Sequence, residues 1–451
     1  MVQRISTNMT QNKKLLSLAI AAGLALMPLS QGIAKLSMDS MTKDITYLAS
    51  DELKGRASFS KEIDQAADYI SRRFSEVGLS PMAGNKSFQQ SFSIYSITPI
   101  SLKVRLNGQE IDKENLTMAS SMETFTWQQK NAVKTHVVGE KDNLREVVRG
   151  LNQQGGQHLV LLHPSHQDLF KRYRHYFSRG LTKLELGHQG AIVIALTDIS
   201  ELDSLDITGT TDTKKQRLTN VAGILPGKSK PEEIVLYSAH YDHIGVHGEG
   251  ESKEDIIYNG ADDDASGTTA IINLAQHFAE QNNNARTLMF TAFTAEEIGG
   301  FGSKAFSKQL NPEQVVAMIN IEMIGKPSKF GPGTVWMTGM ERSDLGAQLN
   351  KQIKEEKHKI HQDPYPEQGL FYRSDNATLA RLGVPAHSFS STQLDKDQHY
   401  HQVTDDLASL DLDSMFKVIQ TLASGTQGLV DGSVTPSRID PAKVKSGGLI
   451  Y

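Results

Sequence analysis

Residues 259–267 place three consecutive carboxylates, Asp262, Asp263 and Asp264, between glycines and small residues. Anions packed side by side repel one another and lose hydration, so a plain interior does not hold them; a divalent ion removes that penalty. The glycines let the backbone fold tightly enough to bring the carboxylates inward. Ile271, Leu274, Ala275 and Phe278 follow at helical spacing, so the run feeds a helix N-terminus, where free N–H groups favour anions. Taken alone, the run is equally well a solvated acidic turn. Its neighbours decide: His240 with Asp242, the pair Glu296 and Glu297, Glu322, and His401. The chain has no cysteine, which excludes disulfides, thiolate metal sites and cysteine nucleophiles, so any metal must be held by His, Asp and Glu. This nitrogen and oxygen set suits zinc or a similar divalent ion. Two such ions need one bridging carboxylate and a His and a carboxylate each, and that count is present. One of the paired glutamates is then free to act as a general base on water.

The elements that must position these residues are legible. The apolar run 233–239 reads as a strand ending at His240, Arg286–Phe293 as a strand ending before Glu296 and Glu297, and Val315–Ile321 as a strand ending at Glu322. Strands alternating with helices predict an α/β fold: a mixed, mainly parallel sheet sandwiched by helices. In such sheets ligands bind outside the carboxyl ends of the strands, and here several strands end in a possible ligand. Helices are expected over 39–49, 61–77 and 413–423. From 97 to 217 the texture changes to short strand-like runs at 101–106, 158–163 and 190–195, with a basic aromatic stretch at 169–177 that reads as an amphipathic surface helix. That region carries no spaced catalytic set and reads as an inserted domain. The tail 433–451 lacks periodicity and is expected to be poorly ordered.

Length allows one large or two moderate domains. A formal net charge of −5 at pH 7 gives no reason to expect a nucleic-acid partner. Lys13 and Lys14 precede an apolar run at 15–29, and Gly32 and Ala34 fit the small residues of a cut after residue 34. This reads as an export signal spanning 1–34, too short for a membrane span. The expectation is a secreted or periplasmic chain with no membrane association after cleavage.

As an ordered set, residues 238–245, 259–267, 294–303, 320–325, 374–376 and 399–405 resemble the M28 family of metallopeptidases, which includes co-catalytic zinc aminopeptidases. Residues 48–56 resemble the early helical region of these enzymes. The resemblance implies a peptidase domain over 35–96 and 218–432. It implies that His240 binds one metal, with Asp242 orienting its ring; that Asp263 bridges both metals and is followed by a cis peptide; and that Glu297 is a ligand while Glu296 is the base. Glu322 takes a place usually held by Asp, and His401 completes the second metal position. His399 competes with His401, which is favoured because an aromatic residue precedes it and an Asp follows. Asp262 and Asp264 are expected to organise the loop, Asp375 and Asn376 to lie behind the ligands, and Met323 to pack. His243, His247, His358, His361 and His387 are expected on the surface or in packing. The inserted region is compared with the protease-associated domains of some family members.

The expected function is an exported aminopeptidase acting on peptides, with two divalent ions (zinc or similar), a metal-bridged hydroxide and Glu296 as general base. Rivals are a glutamate-releasing carboxypeptidase, for which Arg342, Arg373 and Arg381 could hold the substrate carboxylate, a one-metal glutaminyl cyclase, and a non-enzymatic binding ectodomain. The oligomeric state is not legible in the sequence.

Overall fold

A computed structural model of the chain describes residues 36–128, 133–187, 189–248, 255–355, 357–445 and 447–451. The expected export signal lies outside the described residues. Among those residues, no helix is long and apolar enough to cross a membrane.

Two helices open the described chain. Ser37 caps α1 (Met38–Leu48) by accepting from the Ser40 amide, and Ser60 caps α2 (Lys61–Glu76) by accepting from the Ile63 amide. Each buries one apolar stripe: Met41, Ile45 and Leu48 on α1, and Ile63, Ala66, Ala67, Ile70 and Phe74 on α2. Asp44 on α1 ties them together; it accepts from Arg73 Nε at 2.8 Å and from the Tyr69 hydroxyl at 2.6 Å.

The site is carried by one mixed sheet. Its long strands are β1 (Gln89–Leu106), β2 (Leu205–Leu225), β3 (Lys230–His240), β4 (Arg286–Phe293), β5 (Val315–Ile321) and β6 (Ala386–Ser390). β3 lies between β4 and β5, and β5 lies beside β6, all parallel. β2 pairs antiparallel with β4 and with β1, and Val335–Met337 and Ile360–Gln362 extend the opposite edge. β4, β5, β6 and the second half of β3 are buried, as strands covered on both faces must be. Helices α3 (Gly267–Gln281) and α4 (Leu412–Gly425) pack on the face that also receives α1 and α2.

Residues 97–217 hold a separate four-stranded sheet, in the order Leu116–Ser120, Ala191–Leu196, Gln157–Leu162, Lys134–Val138. Alternate residues of Gln157–Leu162 feed opposite faces. Val160 and Leu162 pack with helices Leu144–Gln154 and Gln167–Ser178, and Leu159 and Leu161 pack with Phe125, Trp127 and Ile207. The basic aromatic stretch is indeed a surface helix, burying only Phe170 and Phe177. No linker joins this region to the main sheet. β1 and β2 pair from Val221 and Gln89 at one end to Leu205 and Leu106 at the other, with one irregularity at Thr210 and Thr211. The polar run Asp212 to Arg217 reads as a boundary in sequence because the ribbon there is open to water.

The tail differs from expectation. Its described residues are packed. Thr435 accepts from Arg286, Ile439 is buried, the Lys445 carbonyl accepts from Arg381, and Ile450 enters the core of the 97–217 region. Asn152 accepts from the amides of Ile450 and Tyr451, both at 2.9 Å. These anchors are single residues and backbone groups without a period, so no hydrophobic pattern betrays them.

Candidate metal centre

The ligand candidates converge outside the carboxyl ends of β3, β4 and β5. β3 delivers His240, and the two residues after it turn back under the acidic loop. The His240 Nδ1 lies 3.1 Å from the Asp242 peptide carbonyl, which leaves Nε2 facing Asp263 Oδ1 at 3.1 Å. The Asp242 carboxylate was expected to orient this ring, but it stands 3.8 Å from Nδ1 and instead accepts from the Glu296 amide at 3.1 Å and the Ser58 hydroxyl at 3.2 Å. It therefore fixes the turn that carries the paired glutamates. The second oxygen of Asp263 faces His401 Nε2 at 3.2 Å, and that nitrogen lies 3.3 Å from Glu297 Oε2. Each oxygen of Asp263 thus serves a different histidine.

The acidic loop holds this geometry through its flanking carboxylates. Asp262 accepts from the Gly325 amide at 2.7 Å and the Thr392 hydroxyl at 2.6 Å. Asp264 accepts from the amides of His240, Gly267 and Met323, joining β3, α3 and the end of β5. Asp405 accepts from the amides of Asp262 and Asp263. The Asp263–Asp264 peptide is cis. Gly260 has a φ of 57°, and a Cβ there would stand 2.4 Å from the His243 ring, so only glycine admits that approach.

The donors form two groups that share Asp263: His240, Asp263 and Glu322, and His243, Asp263 and Glu297. Within each, one ligand atom per residue lies within 4.8 Å of the others. Several are buried without a hydrogen-bond partner: His240 Nε2, His243 Nδ1, Glu297 Oε1 and His401 Nε2. A buried polar atom left unpaired costs about 1–3 kcal/mol. A set of them aimed at common points fits divalent cations, and the donors are the nitrogens and oxygens zinc takes. Burial works against the charge on Asp263, but His240 and His401 hold it well below the usual carboxylate range. Burial, and then Asp263, push Glu322 up to about 7 against the pull of His240. Burial likewise opposes protonation of His401, yet Asp263 and Glu297 raise it to about 10.

Among the other expected residues, His399 turns away and pairs with Thr404 at 2.9 Å. Asp375 is buried with neither carboxylate oxygen hydrogen-bonded, and Asn376 braces the β6 hydroxyl of Ser388 at 2.9 Å. His387 is packed, bonded to the Thr338 carbonyl and the Ser343 hydroxyl, and His361 stacks on Phe330. His243 departs from its expected packing role: its Nδ1 lies 2.7 Å from Glu297 Oε1. The only sequence signal was its place three residues after His240. A cavity of about 340 Å³ opens over the cluster, with Glu296, Glu297, Glu322 and His401 on its floor and Met323, Trp336, Leu370, Leu394 and Tyr400 on its walls. Arg373 also lines it. Arg342 instead stacks on Phe371, and Arg381 donates to the Lys445 carbonyl.

Residues 220–426 match the model of peptidase family M28. The likeness to that family covers a little under half of the chain. A probable zinc metalloprotease of Pyrenophora teres f. teres is 35% identical over 123 residues, covering 26% of this chain and 24% of that protein. Leucine aminopeptidase 1 of Ajellomyces dermatitidis is 27% identical over 208 residues, covering 44% of this chain and 52% of that protein. The chain thus spans a quarter to about half the length of these curated relatives. An aminopeptidase from Aneurinibacillus sp. strain AM-1 has a similar fold: the TM-score is 0.52 at 18% identity, over 92% of this chain and 98% of that one.

Proposed function

We propose that the chain is a zinc-dependent aminopeptidase that removes the first residue of peptides. The observation that carries this reading is the pair of histidine–carboxylate groups sharing Asp263 beneath a cavity that also holds Glu296. His240, Asp263 and Glu322 would hold one ion, and Asp263, Glu297 and His401 the other. When bound, the metals supply Lewis acidity toward the peptide carbonyl and acidify water toward neutral pH. Glu296 accepts the proton of the attacking water and returns it to the leaving amine. Burial, and beyond it Glu322, Asp375 and Glu297, push its carboxyl well above the usual range, against the pull of His240. The surplus of carboxylates attracts a cationic α-amine, and the apolar walls favour an apolar first side chain. The glutamate-releasing reading is less well supported, since of the three arginines considered only Arg373 lines the cavity.

Residues 97–217 act in this reading as an inserted domain that shapes access. Leu184 packs beside Ala295 and Phe301, next to the turn bearing the paired glutamates, and Glu185 pairs with Lys308. The basic start and apolar run near the N-terminus support export. The test is a substrate panel of leucyl, N-acetyl-leucyl and C-terminal-glutamate peptides. Cleavage of the free leucyl peptide alone is expected; preferential release of C-terminal glutamate, or equal cleavage of the acetylated peptide, would overturn the reading.

A further inference from the structure

We propose that His243 is a fourth protein ligand at the metal position framed by Asp263, Glu297 and His401, so that the two positions are unequal. This rests on the two-metal reading above. The His243 ring is buried, with its side chain 0% exposed. Its Nδ1 is 2.7 Å from Glu297 Oε1 and 4.0 Å from Asp263 Oδ2. At 2.7 Å a packed histidine would hydrogen-bond, yet neither Nδ1 nor Oε1 makes a hydrogen bond of acceptable geometry. Two buried polar atoms this close with no hydrogen bond, grouped with Asp263 within 4.8 Å, suit ligands of one cation. His387 shows the alternative in the same molecule: equally buried, it has both ring nitrogens bonded, to the Thr338 carbonyl at 2.7 Å and the Ser343 hydroxyl at 2.8 Å.

The fold also makes room for the ring. Gly260, in a left-handed conformation, gives it the space a Cβ would take, and the His243 amide is held by the Arg56 carbonyl at 3.3 Å. His401 closes the other side, with ring centroids 5.7 Å apart. One position is then enclosed by two imidazoles and two carboxylates. The other has His240, Glu322 and the far oxygen of Asp263, and keeps room for water or substrate. Four protein donors characterise metals that stay, and three with an open place characterise metals that react. The enclosed ion should therefore bind first and exchange slowly, and the open one should be the exchangeable ion.

The test uses the full chain, stripped of metal and titrated with Co(II). It is followed by visible absorption, by chelator competition and by the paramagnetically shifted imidazole N–H resonances in proton NMR. In the wild type the first equivalent should produce two shifted imidazole resonances, from His243 and His401, and the second equivalent a third, from His240. His243→Gln should lose one resonance from the first equivalent. Its affinity for that ion should fall by at least about 10- to 100-fold, the loss typical of even an indirect partner of a ligand. Two resonances in the fully loaded wild type, or unchanged affinities in His243→Gln, would overturn the proposal and leave the two-metal reading standing. The wild-type count decides the matter if the variant does not fold. Failure of the wild type to bind Co(II) at all would overturn both.

Discussion

At the scale of single residues, the different tasks proposed for the adjacent glutamates rest on the turn after β4, which separates them. Glu297 faces His243 and His401, while the Glu296 amide is fixed by Asp242. Glu296→Gln keeps the shape of the side chain but cannot take a proton. It should keep its metal and lose about 10²–10⁴-fold in turnover, whereas Glu297→Gln should lose metal; metal content and turnover measured side by side check both. The reverse pattern would exchange the two roles. A second prediction concerns pH. Burial, and then Arg342, hold the His387 imidazole down to about 4, against a raising contact from the Thr338 carbonyl. The unfolded chain, titrating near 6.5, binds more protons between pH 6.5 and 4, so stability is full above that window and is lost as pH falls through it. The contribution is roughly 3 kcal/mol. Denaturant unfolding across this window should show a smaller acid slope in His387→Gln than in the wild type; an equal slope would count against it. His240, Asp263 and Glu322 were readable as candidates because each follows a recognisable strand or turn. His243 was not, because its neighbour Glu297 is more than fifty positions away and only the folded turn brings them together.

At the scale of elements, the loop that carries His401 is locked to the acidic loop by a cation. Lys326 Nζ, just beyond β5, lies 2.8 Å from Asp397, 3.5 Å from Asp262 and 3.7 Å from Asp405. Asp397 in turn accepts from the amides of His399 and Tyr400. Lys326→Met would leave three buried carboxylates without their cation. Removing one member of a buried pair costs about 3–5 kcal/mol, so the variant should unfold at lower denaturant and hold the His401-side metal more weakly, while Lys326→Arg should recover much of both. Unchanged metal affinity in Lys326→Met would show that the loop is positioned by other means. The strands and helices around this lock were legible from their apolar periodicity. The lock was not, since a lone lysine after a glycine carries no pattern. Arg56 escaped for the same reason. Given no role from its sequence, it is buried and donates to the carbonyls of Leu48, Tyr241, Asn259 and Gly260.

At the scale of the molecule, two sheets share one ribbon, and the tail ties them a second time. Fold class and the exchange of texture near residues 97 and 217 were visible in sequence; the continuity of β1 and β2 across those positions was not, because an exposed ribbon alternates too weakly to read as strand. Ile450 is 1% exposed in the core of the 97–217 region. Removing residues 447–451 should therefore lower that region's stability by about 2–4 kcal/mol with metal content unchanged, seen as faster amide exchange within 134–196; unaltered exchange would mean that the tail contributes nothing there. The account as a whole stands on the bridging place of Asp263 between two histidine–carboxylate groups. The most direct measurement is stepwise zinc titration of the metal-free full chain, with bound zinc and hydrolysis of a leucyl peptide read at every step. The account predicts no hydrolysis without metal and activity that rises to a plateau at two zinc ions per chain. Full hydrolysis by the metal-free protein would contradict it.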